Sequence, residues 1–337
     1  MDFLQDTVLA QPELRFPLNT RSRVKDIQQL YRAAVKQQWN PASDVPWEEL
    51  GAGDLPEKHR VAARLRWSRS AWGEYGAISE SPALQIRFYQ ERREPDLMQF
   101  FAIRTQEESR HAEVCYRMAE RLGGYYKEPP TGELAEYLAP GESLDTVVAG
   151  ATPAGNAALK GQPDGRTNLY SHGVRRMALD PNFPTDAIIA GLVCAAEQVT
   201  FDQFMHMIAI TPNPVAKRIL SLIARDETRH VAFGWRYIES RLSGYSRADR
   251  DALARGLEIF IEEVELKGHH HPWLRAETPT SLAEREAFRL THEAGLGASV
   301  EELEKPVLID TFALIRRKVR DWGITLRPFH HPKLGTV

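Results

Sequence analysis

The chain has almost no cysteine. Only Cys115 and Cys194 occur in 337 residues, which excludes a disulfide-built scaffold. Both fall in helical segments and read as reduced core thiols of a cytoplasmic protein. No stretch stays apolar for the ~18 residues that a membrane span needs. The opening run, Met1-Asp2-Phe3-Leu4-Gln5-Asp6, lacks the basic-then-apolar order of a secretory signal. There is no basic surplus either: the formal net charge is −3, which speaks against a nucleic-acid partner. Strand-like alternation is missing throughout. With 42% hydrophobic and 26% charged residues, the composition is that of a soluble globular protein with room for one large domain.

What is present is helical periodicity. It covers about 22–37, 57–80, 83–92, 95–122, 184–210, 213–242, 246–268, 282–294 and 299–321. Thr185-Asp186 can cap one helix, Pro212 and Pro214 mark the turn into the next, and Gly123-Gly124 closes another. The expected organisation is one domain in five parts. These are a lead-in (1–55), a helical hairpin (56–122), an irregular proline- and glycine-bearing stretch (123–183), a second hairpin (184–242) and C-terminal buttressing helices with a tail (243–337). The stretch 123–183 reads either as a cover over a substrate entrance or as a solvated connection.

Two five-residue runs carry the chemistry: Glu107-Glu108-Ser109-Arg110-His111 and Asp226-Glu227-Thr228-Arg229-His230. Each holds a Glu-x-x-His pair, which a helix places on one face about a turn apart. One such pair is common; a duplicated one with matching neighbours is specific. A dinuclear carboxylate site in a helical bundle takes two such helices plus one Glu from each of two others. Upstream of the first run lies Glu74, within Trp72-Gly73-Glu74-Tyr75-Gly76-Ala77-Ile78. Upstream of the second lies Glu197, flanked by Ile188, Ile189, Leu192, Val193, Cys194 and Val199. A carboxylate in that company needs a compensating cation. Glu80 rivals Glu74 but stands between Ser79 and Ser81, just before Pro82, where the helix is expected to be disturbed. The repeated order suggests two hairpins facing each other across a pseudo-twofold axis, in an all-α four-helix bundle.

Iron and manganese accept mixed carboxylate and imidazole ligands. The expected cofactor is two iron ions, with a manganese–iron pair equally compatible. Four carboxylates stabilise the higher oxidation states met when dioxygen is reduced. They can also shift between terminal and bridging binding, and so open a position for dioxygen. Glu107 and Asp226 each precede a candidate ligand and point about 100° away from it. Asp226 is expected to orient His111, and Glu107 to orient His230, with Arg110 and Arg229 pairing with these acids. The plainer reading is a set of surface ion pairs. His269-His270-His271 and His330-His331 sit beside prolines at helix exits and read as surface loops; His206 reads as structural. Trp67, Trp72 and Trp235 read as core. Cys115, Val199, Phe201 and Ile223 fit a substrate pocket or inert core equally well. The segments 246–268 and 299–321 read as buttresses or a homodimer face.

The two runs resemble the repeat of bacterial multicomponent monooxygenase hydroxylases, and Gly73-Glu74-Tyr75-Gly76-Ala77-Ile78 resembles their first ligand helix. Lys36-Gln37-Gln38-Trp39-Asn40-Pro41 looks like the lead-in of the wider ferritin-like superfamily, and the likeness runs from about residue 25 to 240. It implies a ferritin-like bundle with additional flanking helices and the ligands Glu74, Glu108, His111, Glu197, Glu227 and His230. It also implies insertion of one oxygen atom from dioxygen into an organic substrate. Electrons would come from a separate donor such as a ferredoxin or flavin reductase. More distantly the chain is similar to diiron N-oxygenases and ribonucleotide reductase small subunits. It departs from both. The radical tyrosine of the reductases is replaced by Cys115, as in methane-type hydroxylases, and the third histidine of the N-oxygenases by Ile223. The hydroxylase threonine is replaced by Phe201; either Thr200, one position earlier, substitutes as a proton relay or the relay is absent.

These features lead to a non-haem diiron monooxygenase that hydroxylates or epoxidises a small or carrier-bound molecule, with a tailoring role in biosynthesis expected. An N-oxygenase or desaturase would use the same centre. A ferritin-like metal-binding scaffold without catalysis is the rival from another class.

Overall fold

The computed structural model describes residues 25–126, 183–277 and 279–337. The expected cover or connection at 123–183 therefore lies almost wholly outside the described residues. Helix α1 (Lys25–Lys36) is followed by a turn-rich segment, then by α2 (Glu57–Gln90) and α3 (Pro95–Arg121). The second half opens with α4 (185–210), continues through α5 (Pro214–Arg241) and α6 (Arg247–Glu263), and ends with α7 (Pro279–Glu293) and α8 (Glu301–Asp321). The described strands are two-residue pieces, His330–His331 paired antiparallel with Gly335–Thr336. No helix among the described residues is long and apolar enough to cross a membrane.

Local signals explain most boundaries. Asn213 caps α5, its side chain accepting from the N–H groups of Val215 and Ala216 at 3.1 and 3.0 Å, with Pro214 at the first helical position. Ser246 and Asp249 form a reciprocal capping box on α6. Gly123 and Gly124 end α3 with φ of 121° and 111°, and the Gly124 N–H closes back on the Ala119 carbonyl at 3.0 Å.

Two boundaries differ from expectation. Helix α2 passes straight through Pro82 to Gln90, so the segments expected at 57–80 and 83–92 are one helix. Buried Ala71 lies on one side of the proline and buried Leu84 and Phe88 on the other. Packing on both sides outweighs the one lost hydrogen bond. Helix α4, expected to be continuous, contains a π-helical stretch, Ile189–Ala196, immediately before Glu197. Every residue of that stretch is buried, and it is gripped by glycines. A Cβ on Gly256 of α6 would lie 2.1 Å from the Ala187 carbonyl oxygen, and one on Gly234 of α5 would lie 2.4 Å from that of Val193.

The hairpins α2–α3 and α4–α5 form the bundle. Helix α1 lies against α3 and α5, α7 along α2, α6 against the π stretch, and α8 against α4. Two apolar cores result. One takes Leu97, Phe100 and Phe101 from α3 with Phe233, Tyr237 and Ile238 from α5. The other takes Val114, Cys115 and Met118 from α3 with Ile219, Leu220 and Ile223 from α5. The two Glu-x-x-His runs fall between these stretches on both helices, as a polar layer enclosed by apolar ones.

The glycine contacts give a prediction. Gly256→Ala and Gly234→Ala should each lower unfolding free energy by about 1–3 kcal/mol, as overpacking does. Gly73→Ala, at a helix-interior glycine with nothing within 4 Å of the added carbon, should raise it by up to ~1 kcal/mol. Urea denaturation of the three variants checks the opposite signs.

Candidate metal centre

Four helices each deliver carboxylates to the polar layer: Glu74 from α2, Glu108 from α3, Glu197 from α4 and Glu227 from α5. His111 and His230 lie one turn after Glu108 and Glu227. One ligand atom from each of Glu74, Glu108, His111 and Glu227 falls within 4.8 Å of the others, and Glu108, Glu197 and His230 form a second group by the same measure. Glu108 belongs to both. All are buried except Glu74, which is half-buried. Glu80 is buried and lines the adjoining cavity, but belongs to neither group.

Both imidazoles turn the same nitrogen inward. His111 Nδ1 has carboxylate oxygens of Glu227, Glu108 and Glu74 at 3.3, 3.4 and 3.7 Å. His230 Nδ1 has Glu227 at 2.9 Å and Glu108 at 3.4 Å. The outward nitrogens meet acids of the opposite run: His111 Nε2 lies 3.3 Å from Asp226 and His230 Nε2 2.9 Å from Glu107. This exchange is the pairing that helical spacing suggests, and it favours an inward lone pair on each Nδ1.

A clamp holds the two acids. Arg229 donates to Glu107 and Asp226 through Nη2. Arg110 lies 3.1 Å from Asp226 and 3.8 Å from Glu107. These are buried contacts rather than the surface pairs of the plainer reading. Residues just after α1 complete the clamp. Gln37 accepts from Arg229 at 2.6 Å, Gln38 accepts from Arg110, and the Trp39 indole donates to Asp226 at 2.8 Å. Trp39 also stacks on the His111 ring. The two glutamines carried no signal of their own in the sequence beyond their place beside Trp39.

Charge explains the titration behaviour. Burial opposes the His111 cation, but the carboxylates of Asp226, Glu108, Glu227 and Glu74 outweigh it and hold its pKa well above the ordinary value. His230 is raised to about 10, burial again being outweighed, here chiefly by Glu227 and Glu107. Burial raises Glu74 to about 7 and lifts Glu197 well above its usual range. Glu227 moves the other way: the imidazoles of His230 and His111 overcome its burial. The layer thus gathers protons and cations around an excess of carboxylate. His111 Nδ1 is buried without a hydrogen-bond partner. Inward lone pairs, clustered carboxylates and raised proton affinity are together what a pair of divalent ions fits.

Arg104 was not anticipated, although its position four residues before Glu108 was the available signal. It is buried, lies 2.9 Å from Glu108, donates to Glu197 and donates to the Ser81 hydroxyl at 2.6 Å.

A cavity of about 160 Å³ opens beside Glu74, Glu108, Glu197 and Glu227. Its apolar wall includes Leu192, Ala196, Phe204, Met207, Phe260 and Phe288. Thr200 lines it, and its hydroxyl lies 2.9 Å from His270 Nε2, while His270 Nδ1 lies 2.8 Å from Glu265. The surface-loop expectation for residues 269–271 is therefore corrected: His269 and His270 line the cavity and His271 is buried, because the chain after α6 folds back over α4. Phe201 is corrected too. A step of three from Glu197 turns Thr200 to the cavity, whereas a step of four turns Phe201 toward α5, beside Thr228, Val231 and Trp235. Cys115 sits in an apolar core and is not among the cavity-lining residues; burial pushes its thiol pKa far up.

A pH prediction follows from the raised imidazoles. Folding raises the His230 pKa above its ordinary 6.5 to about 10. Its contribution to stability is fully present below the lower value and lost as pH rises through the upper one. His111 and Glu197 shift in the same sense. The metal-free protein should lose thermal stability steadily from about pH 7 to about pH 10, and bound ions, which displace these protons, should flatten the decline. Melting curves with a chelator and then with added metal test this; a Tm constant across that window in the chelated protein contradicts it.

No family model matches the sequence, and no curated protein does. Solved structures do match. An R2-like ligand-binding oxidase variant with aerobically reconstituted Mn/Fe cofactor aligns over 87% of this chain and 96% of its own, with TM-score 0.54 and 15% identity. A second variant with the same cofactor covers 87% and 93%, with TM-score 0.55 and 16% identity. A variant reconstituted with an Fe/Fe cofactor covers 87% and 92%, with TM-score 0.54 and 15% identity. At these identities the likeness is one of fold, and the fold of this chain is the ferritin-like helical bundle.

Proposed function

We propose that the chain is a dimetal oxidase that activates dioxygen toward a small organic substrate held in the cavity beside Glu74 and Glu197. The observation that carries this reading is the pair of ligand groups sharing Glu108, opening on that cavity. Glu74, Glu108, His111 and Glu227 would hold one ion, and Glu108, Glu197 and His230 the other. The oxidases of similar fold were solved with Mn/Fe and Fe/Fe cofactors, which supports an iron pair or a manganese–iron pair here. Such a pair, when bound, supplies the redox chemistry by which dioxygen is reduced and an oxygen atom delivered to a C–H or C=C bond.

The chain's own residues set the conditions. Asp226 and Glu107 keep the imidazoles in the ligating tautomer, and the Arg110–Arg229 clamp fixes those acids. The apolar wall limits water near the reacting atoms. Glu265, buried, anchors His270, whose side chain is 22% exposed. The Thr200 hydroxyl donates to the Ala196 carbonyl at 3.0 Å; a proton passed from His270 Nε2 to its oxygen would free that hydroxyl proton for the cavity. Hydroxylation or epoxidation is the preferred reaction; N-oxygenation and desaturation would draw on the same groups. Electrons come from a separate donor such as a ferredoxin or flavin reductase.

One observation favours a second reading, a scaffold without catalysis. Arg104 stands between Glu108 and Glu197 and supplies there the positive charge an ion would supply.

Metal analysis separates the two. The oxidase reading expects about two iron, or one manganese and one iron, per chain, with dioxygen consumed on adding reductant and both properties lost in Glu108→Ala. Zero or one ion per chain, with Arg104→Met needed to restore the second, would establish the scaffold reading instead. Thr200→Val should keep the metal content and cut turnover by roughly 100-fold or more, the range of a lost proton-transfer group being about 100- to 10,000-fold.

A further inference from the structure

Arg66 stands apart from the other buried arginines of the cavity region. It is 5% exposed and lines the same cavity as Glu74. Arg104, Arg110 and Arg229 each pair with carboxylates at short range. The guanidinium of Arg66 instead donates to the Ser70 hydroxyl at 2.6 Å and to the Met207 sulfur at 3.7 Å. Two of its five N–H donors thus have neutral acceptors, and none has a carboxylate. Its plane lies over Trp67, 4.4 Å from the ring centroid, which leaves the donor edge as the unmet part. Burial lowers its pKa to about 10, so it stays charged at neutral pH. Glu304 and Glu74 act on it from a distance, but a buried charge with no carboxylate in contact is one that a ligand's anionic group would stabilise.

Its position supplies the rest. Arg66, Ser70, Gly73, Glu74 and Ala77 form one stripe of α2 along the cavity. Arg66 and Glu74 are eight residues apart, so their backbones are separated by about 12 Å along the helix axis. Between them the lining mixes apolar side chains, among them Phe204, Met207 and Phe288, with Arg69, whose guanidinium is paired with Glu284. The cavity already holds several glutamates, so a dianion such as a phosphate monoester would be repelled more than a monoanion. A planar two-oxygen group matches the guanidinium fork.

We propose that Arg66 is the anchor for a carboxylate on the substrate, so that the substrate class is small organic acids bound with the acid group distal to the metal centre and an apolar body pointing toward Glu74. The assignment rests on the dimetal reading for what happens to the substrate, but the acid site itself does not need metal. At about 160 Å³ the cavity takes a body close to the size of a benzene ring, the ligand an engineered cavity of similar volume accepts.

The test uses phenylacetate and its neutral counterpart phenylacetamide, with calorimetric titration of the metal-loaded and chelated protein. The acid should bind both forms saturably and the amide at least roughly tenfold more weakly, as expected for a lost charge-assisted pair. Arg66→Gln and Arg66→Met should cost phenylacetate roughly tenfold or more while leaving phenylacetamide unchanged, and Arg66→Lys should fall between. Without ligand, Arg66→Met should melt close to the parent temperature, because the charge it removes has no carboxylate in contact. That measurement also shows the variant is folded. Equal binding of acid and amide, parental phenylacetate affinity in Arg66→Gln, or no saturable phenylacetate binding to the parent would each overturn the proposal. Metal content measured on the same samples keeps the two claims apart. Two ions per chain without Arg66-dependent acid binding overturns only the anchor. Acid binding at Arg66 in a chain that takes up no metal overturns only the dimetal reading.

Discussion

The burial of six carboxylates in one layer is the constraint on which the rest of this structure depends. Glu74, Glu107, Glu108, Glu197, Asp226 and Glu227 converge where two pairs of helices meet. Such a cluster is untenable in a low-dielectric interior without positive charge nearby. The chain answers at three depths. Arginines 110 and 229 neutralise the outer acids, the two histidines gather protons between inner and outer acids, and Arg104 reaches into the innermost group. Divalent ions at the centre would replace the protons but not the outer arginines. The outer clamp and the inner ligand set are therefore separable layers of one electrostatic solution.

Packing holds that layer in place. The two apolar cores above and below it fix α3 and α5 along their lengths, so that each Glu-x-x-His pair has little freedom to rotate. Helix α4 is positioned differently. Its π stretch nests against glycines of α5 and α6, and Glu197 follows directly after it. A π turn adds a residue to the turn and so resets the face on which later residues fall. Glu197 and, three residues on, Thr200 both follow the stretch, so it sets together the face on which both fall.

Much of the arrangement was legible in the sequence because helices translate spacing into direction. The i,i+3 pairs placed Glu108 with His111 and Glu227 with His230. The 100° offset of the preceding acids placed Asp226 against His111 and Glu107 against His230. The apolar neighbours of Glu197 marked it as buried. What spacing could not show were effects set by tertiary packing. Pro82 is carried by contacts on both sides of it, and the π stretch is imposed by glycines on other helices. His270 reaches Thr200 only because residues 264–275 fold back, and a sequence shows no such fold. Arg104 and Arg66 carried no reading from the sequence; only the closed bundle shows them buried.

The clamp formed by Gln37, Gln38 and Trp39 has a consequence for assembly. Trp39 and Asp226 are separated by 187 positions in the chain, and Gln37 and Arg229 by 192. Contacts of that span form only after both hairpins have docked, since closing so long a loop is entropically expensive until other contacts share the cost. The outer acids are thus secured at the end of folding, when the inner carboxylates are already enclosed. Among the described residues, the cavity beside Glu80 reaches the candidate ligands, so a molecule lodged in it would compete with incoming ions for that approach.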